Sequence, residues 1–292
     1  MASQYTDDLR LAHVLADDAD SLTTARFKAL DLHVMTKPDL TPVTDADTSV
    51  EDGIRRTLSR ARPRDAVLGE ESGATGHSQR RWVIDPIDGT KNFVRGVPVW
   101  ATLIGLMVDG EVVVGVVTAP QLNRRWWASA GDGAWTGKSL LRAARCQVSD
   151  VSRLEDASLS YSSMGGWDER GRLDDFLSLA RRCWRTRAYG DFWSYMLLAE
   201  GAVDIAAEPE LELHDMAALD VIVRESGGLF TSLEGEPGPH GGNALASNGR
   251  LHDQALAFLG SLPDATGDLA RRGAGSVHEL SARRRPVDDD VE

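Results

Sequence analysis

The chain has 292 residues, 42% of them hydrophobic, which is enough apolar material for one large core or two small ones and excludes disorder throughout. A formal net charge of −13 argues against nucleic acid or an anionic membrane as partner, and any phosphate-binding site must bring its own positive charge. Two cysteines, Cys146 and Cys183, without ligand-like spacing, the absence of a secretory signal in MASQYTDDLRLA, and no run near the ~18 apolar residues of a membrane helix lead to the expectation of a cytoplasmic protein.

In chain order, Leu9, Ala12, Leu15, Ala16, Ala19, Leu22 and Phe27 recur at helical spacing and predict one amphipathic helix over residues 5–30. Residues 31–47 carry Lys37-Pro38-Asp39 and Thr41-Pro42 and predict a loop. Thr44-Asp45 then caps a second helix over 46–58. Ala66-Val67-Leu68 reads as a short strand leading into Gly69-Glu70-Glu71, and Trp82-Val83-Ile84 as a second, running into Asp85-Pro86-Ile87-Asp88-Gly89-Thr90. Residues 102–108 and 112–118 form a hairpin about an Asp109-Gly110 turn. Arg124-Arg125-Trp126-Trp127 continues the meander as strand packing in preference to a base-stacking platform, given the net charge, and Gly131-Asp132-Gly133-Ala134 is a further turn. From residue 157 the rhythm becomes strand and helix in alternation: strands over 157–162, 203–206, 229–231 and 244–248, helices over 173–183, 192–200, 216–225 and 251–259, with 185–188 leading into Gly190-Asp191. Residues 1–262 are expected to form the folded domain. The segment 263–292, poor in large apolar residues and carrying RRR and DDD runs, is expected to be a disordered tail.

The chemistry concentrates at DPIDGT. A proline between two aspartates three residues apart excludes a helix interior, so Asp85 and Asp88 are held on one rigid turn at a strand end. Paired hard-oxygen ligands without a basic neighbour suit Mg²⁺ or Mn²⁺, and the amides of Gly89 and Thr90 are placed to face an anion. On local sequence the paired Glu70-Glu71 reads as a solvated surface pair, which the preceding apolar strand and the DPIDGT close behind raise to a candidate, and Asp45 reads as a helix cap.

DPIDGTKNF resembles the metal-binding signature of the inositol monophosphatase family. Gly69-Glu70-Glu71 lies about fifteen residues upstream, and Leu213-His214-Asp215-Met216-Ala217-Ala218 followed by Gly227-Gly228 about 130 residues downstream, in the family's order. The resemblance spans roughly residues 5–260; one departure is His214, where the family usually has tryptophan. It implies an αβαβα sandwich, an α/β fold of layered sheets, and a homodimer. It implies two or three Mg²⁺ ions, replaceable by Mn²⁺, on Glu70, Asp85, the Ile87 carbonyl, Asp88 and Asp215, with Glu71 supporting Glu70. Thr90, with Asp45 behind it, would orient the attacking water and accept its proton, and Glu70 is the rival base. Lys37 would point toward the phosphate. The reaction implied is phosphomonoester hydrolysis without a covalent enzyme intermediate; the chain has no Cys-x5-Arg and no DxDx[TV]. A non-catalytic relative should have lost a ligand or the threonine, and all are present.

For the substrate, resemblance brings Arg187, Asp191, Glu208 and Asp215 to the pocket beside Gly89 and Thr90. Gly190-Asp191-Phe192-Trp193-Ser194-Tyr195, with RAYGDF and NFVRGVPVWA, is similar to the branch of the family that hydrolyses histidinol phosphate. An inositol monophosphate is the alternative substrate; a fructose bisphosphate or phosphoadenosine phosphate ranks below both.

Overall fold

The N-terminal apolar stripe does fold as a helix, and what it covers sets the order of the layers. The computed structural model describes residues 4–38, 41–140 and 142–260. Helix α1 (Thr6–Arg26) buries Ala12, Leu15, Ala16 and Ala19, whereas Leu22 stays partly exposed. It ends earlier than its periodicity predicts, because Phe27 takes an extended backbone and turns its ring into a cluster with Phe93 and Trp100. The expected loop contains a hairpin, β1 (Val34–Thr36) paired with β2 (Pro42–Thr44). All of β1 is exposed, so it leaves no alternating burial signal. Helix α2 (Asp45–Ala61) packs beside α1 through Val50, Ile54 and Leu58.

The first sheet is built from β3 (Ala66–Gly69), β4 (Gly73–Thr75), β5 (Arg80–Asp88), then, past the short helix α3 (Thr90–Val94), β6 (Ala101–Val108), β7 (Glu111–Ala119), β8 (Arg124–Ser129), β9 (Ala134–Ser139) and β10 (Arg142–Arg145). Its eight strands run in the order β10-β9-β8-β7-β6-β5-β3-β4. Among them β3 and β5 are parallel and the other neighbours antiparallel. β9 and β10 are absent from the sequence reading; rich in Lys, Arg, Gly and Ser, they have the composition of a protected sheet edge rather than of a buried strand.

The second half supplies β11 (Ser158–Ser160), α4 (Met164–Glu169), α5 (Leu173–Ala180), β12 (Arg185–Arg187), α6 (Asp191–Ala199), β13 (Ile205–Glu208), α7 (Leu213–Glu225), β14 (Leu229–Thr231), β15 (Ala244–Ser247) and α8 (His252–Leu259). The second sheet has five strands in the order β12-β11-β13-β15-β14. β13 lies two residues later than its apolar run predicts, which brings Glu208 to its end.

Side-chain alternation sorts the layers. On β5, Trp82 and Ile84 face α1 and α2, while Val83 faces α6 and α7. The other side of that middle helical layer meets Ala206, Phe230, Ala244 and Ala246 of the second sheet. The sheet's far face, through Leu159, Ile205, Ala207 and Leu245, is covered by α4, α5 and α8. The result is the αβαβα sandwich. Each fully buried Leu, Val or Ile in these layers contributes roughly 1.5–3 kcal/mol of transfer free energy. The helix α7 lies against β7 so closely that a Cβ on Gly115 would sit 2.7 Å from the Ala218 carbonyl oxygen. That approach brings the start of α7 to the end of β5. The 263–292 segment lies outside the described residues. No helix among the described residues is long and apolar enough to cross a membrane.

Candidate active site

Asp85 pairs with Leu103 and Asp88 with Ala101, so β5 spends one residue more than β6 on this stretch and bulges at Pro86-Ile87. Proline gives no N–H to the ladder and is tolerated at such a bulge. The extra residue has a consequence for facing. Asp85 and Asp88, three apart in sequence, share the face on which Leu103 and Ala101 look toward the middle helices. Asp215 comes from the first turn of α7, two residues inside a helix that the apolar pattern starts only at Met216. Its Oδ2 accepts the Glu212 N–H at 2.7 Å, a capping box that fixes the side chain. One carboxylate oxygen from each of Asp85, Asp88 and Asp215 lies within 4.8 Å of the others.

Three carboxylates this close raise one another's proton affinity. Burial, and then the charges of Glu70, Asp88 and Asp215, push the Asp85 carboxyl well above the usual carboxylate range. Burial, Asp191 and Asp215 do the same to Asp88, opposed by the Phe192 N–H. Asp215 is raised chiefly by burial, with His214 opposing; His214 Nε2 stands 3.5 Å from Asp215 Oδ1. Two unit charges at the 4.8 Å limit repel by about 3 kcal/mol at an effective dielectric constant of about 20. Asp85 Oδ1 is buried and accepts no hydrogen bond among the described residues. A buried, unsatisfied oxygen inside a cluster of hard anionic donors fits a divalent cation.

Glu70 adjoins Asp85, but Lys37 binds it. The Lys37 ammonium lies 2.6 Å from Glu70 Oε1 and 2.8 Å from Glu71 Oε1. Burial disfavours its charge, yet the two glutamates hold its proton affinity above the ordinary lysine range. This corrects the expectation that Lys37 points toward the phosphate: it bridges the two glutamates.

The structure also corrects the carboxylate behind Thr90. Thr90 Oγ1 donates to the Ile87 carbonyl at 2.9 Å and lies 3.5 Å from Asp47 Oδ1. Asp45 instead turns to Arg26, at 2.7 Å. Asp47 is fully buried and takes the Thr44 N–H at 2.8 Å and the Thr44 hydroxyl at 2.5 Å. Burial, opposed by those two bonds, pushes its pKa up to about 6. The signal was in the sequence: Thr44-x-x-Asp47 is a capping box, and only its first half enters the reading of Thr44-Asp45.

Glu70, Asp88, Thr90 and Asp215 line a cleft of about 750 Å³ that also holds Gly89, Asp191, Tyr195 and Glu208. Asp191 has a left-handed backbone, φ 50°, and its Oδ2 accepts from Asn92 Nδ2 at 3.2 Å. Gly89 leaves room for this carboxylate, since a Cβ there would lie 3.3 Å from Asp191 Oδ2. The N–H of Phe192 is taken by Asp88 Oδ2 at 2.7 Å, so Asp88, not Asp191, caps α6. Glu208 is buried beside Tyr195 and Ser162, and burial, Asp191 and Asp215 raise its pKa well above the usual range. Arg187 is not brought to the cleft; it is exposed, and its guanidinium donates to the Thr186 carbonyl.

The chain matches the family model described as the inositol monophosphatase family over residues 8–262. It belongs to that family. Over 259 residues it is 66% identical to a histidinol-phosphatase of Streptomyces coelicolor, covering 87% of this chain and 97% of the relative. It is 60% identical over 254 residues to a histidinol-phosphatase of Mycobacterium tuberculosis, covering 87% and 98%. The fold superposes on an inositol monophosphatase from Zymomonas mobilis with a TM-score of 0.78 and 32% identity, covering 88% of this chain and 99% of that one. The family is one of metal-dependent phosphatases, and the aspartate cluster stands where its signatures lead.

Proposed function

We propose that this chain is a Mg²⁺-dependent phosphomonoesterase that hydrolyses L-histidinol phosphate to L-histidinol and phosphate, a step of histidine biosynthesis. The observation that carries the choice of substrate is the pair Asp191 and Glu208, two acids in the cleft that holds the aspartate cluster. Histidinol phosphate has an ammonium on the carbon next to the ester methylene, where an inositol phosphate has hydroxyls. A charge-assisted bond from Asp191 or Glu208 distinguishes the two. The names of the two bacterial relatives point the same way.

Glu70, Asp85, the Ile87 carbonyl, Asp88 and Asp215 are the groups that would hold the ions. Two or three Mg²⁺, or Mn²⁺ in their place, would stabilise the phosphoryl and leaving oxygens and make water more acidic. The chain's own part is positioning and proton transfer. Thr90 Oγ1 orients the attacking water, and Asp47 behind it receives the proton through the hydroxyl. The water oxygen bonds to phosphorus as the bond from phosphorus to the alcohol oxygen breaks; that oxygen takes a proton from a solvent water as it leaves, and Asp47 returns its proton to solvent. Glu70, engaged by Lys37, is the weaker candidate for the base. The amides of Gly89 and Thr90 face the phosphate. The proposal takes residues 1–262 as the catalytic domain, of a cytoplasmic homodimer.

Replacing Asp191 by Asn tests the substrate reading. We expect kcat/KM for histidinol phosphate to fall more than ~10-fold, on the scale of a lost charged hydrogen bond, with p-nitrophenyl phosphate hydrolysis nearly unchanged. Equal loss on both substrates would remove Asp191 from ammonium recognition.

A further inference from the structure

Glu70 sits on the turn between β3 and β4, and what fixes that turn is a carboxylate on α2. Glu51 is fully buried. Its Oε2 accepts the Glu71 N–H at 2.8 Å, and its Oε1 accepts the Ser72 N–H at 3.0 Å and Arg55 Nε at 2.7 Å. Arg55 then spans the turn, donating through Nη1 to Thr75 Oγ1 at 2.9 Å and through Nη2 to the Gly73 carbonyl at 2.5 Å. Gly69 makes room for this arrangement: a Cβ there would lie 2.3 to 2.4 Å from the Glu51 carboxylate atoms. The Glu70 N–H itself is bound to the Ile84 carbonyl at 3.1 Å, next to Asp85.

An exposed Glu and Arg four apart on a helix stabilise little. Here the carboxylate is out of water, both oxygens accept from N–H groups, and the arginine's fork is spent on the far side of the same turn. The backbone on either side of Glu70 is therefore fixed at four hydrogen bonds before any cation arrives.

We propose that Glu51 and Arg55 are positioning residues that set the site's affinity for its divalent cation by holding Glu70 in place. The inference rests on Glu70 being a metal ligand, as in the proposed function. A ligand on a loose turn must be ordered when the cation binds, and the Glu51–Arg55 strut removes that cost beforehand. Groups that orient a ligand from behind typically change metal affinity ~10- to 100-fold.

The test uses the full chain stripped of metal and titrated with Mg²⁺ and Mn²⁺ by calorimetry, with melting curves in parallel. Glu51→Gln keeps the shape but turns an amide NH₂ toward a backbone N–H. We expect its cation Kd to rise at least ~10-fold, while kcat at saturating Mg²⁺ stays near wild type. Arg55→Lys, which keeps the charge and loses the fork, should shift Kd in the same direction by less; it carries the test alone if Glu51→Gln does not fold. A lowered melting temperature with unchanged Kd in both variants would make the pair structural only and overturn the proposal. Wild-type protein that binds neither cation would overturn the metal reading beneath it as well.

Discussion

Asp88 has two tasks that one pair of substitutions separates. Its carboxylate belongs to the aspartate cluster, and its Oδ2 accepts the Phe192 N–H at 2.7 Å, capping α6. Asp88→Asn keeps an oxygen for that bond but removes the charge. Asp88→Ala removes both. The electrostatic change is common to the two variants, so their difference in metal-free stability isolates the cap. A lost N-terminal cap costs about 1 kcal/mol, which moves Tm by roughly 2–4 °C in domains of 150–250 residues. In EDTA, Asp88→Asn should therefore melt a few degrees above Asp88→Ala. It should also melt no lower than wild type, because Asp191 and Asp215 lose a buried like-charged neighbour. Both variants should lose the upward Tm shift that Mg²⁺ gives wild type, and turnover should fall ~10²-fold or more. Scanning fluorimetry with and without Mg²⁺, and released phosphate, read all of this. Asn and Ala variants that melt together in EDTA would refute the cap. An Asn variant with wild-type turnover would refute the metal role.

Two further predictions follow from the buried polar groups. Asp47→Asn should lower kcat ~10²-fold as a proton acceptor is lost, whereas Asp45→Asn, which gives up only its contact with Arg26, should stay within a few-fold of wild type; the reverse order would restore Asp45 behind Thr90. His13, buried against Trp127 and beside Arg125, has its pKa pushed down to about 4 by burial first and by Arg125 second. The unfolded chain thus binds a proton that the folded one refuses, so this contribution is full above pH 6.5 and is lost as pH falls toward 4. Relative to His13→Gln, wild type should lose Tm over that window, and a pH-independent difference would contradict the assignment.

The Asp85 and Asp88 pair of the aspartate cluster was legible in the sequence because its constraint is local. Asp85, Pro86 and Asp88 define a bulge whose proline and spacing are visible in six letters, and the apolar run before them marks the strand. The long helices and the central hairpin were legible for the same reason, since period and turn chemistry are short-range. What escaped depends on tertiary partners. Lys37 looks like a phosphate ligand until Glu70 and Glu71 are placed within reach of it. Asp45 and Asp47 both sit at a helix start, and only the position of Thr90 separates them. Glu51 appears as one acid among several on α2, and nothing local says that it is buried under the Glu70 turn. The β1–β2 and β9–β10 hairpins escaped because one strand of each, β1 and β10, is largely exposed and carries little hydrophobic pattern.

The central claim is that the aspartate cluster and the two acids beside it make a Mg²⁺-dependent enzyme for an amino-alcohol phosphate. Its most direct test is kcat/KM from phosphate release by the wild-type chain on L-histidinol phosphate and on inositol 1-phosphate, in Mg²⁺ and in EDTA. We predict at least a ~10-fold preference for histidinol phosphate, the scale of one charge-assisted bond, and loss of both activities in EDTA. A preference for inositol 1-phosphate would contradict the substrate assignment, and undiminished turnover in EDTA would contradict the metal site itself.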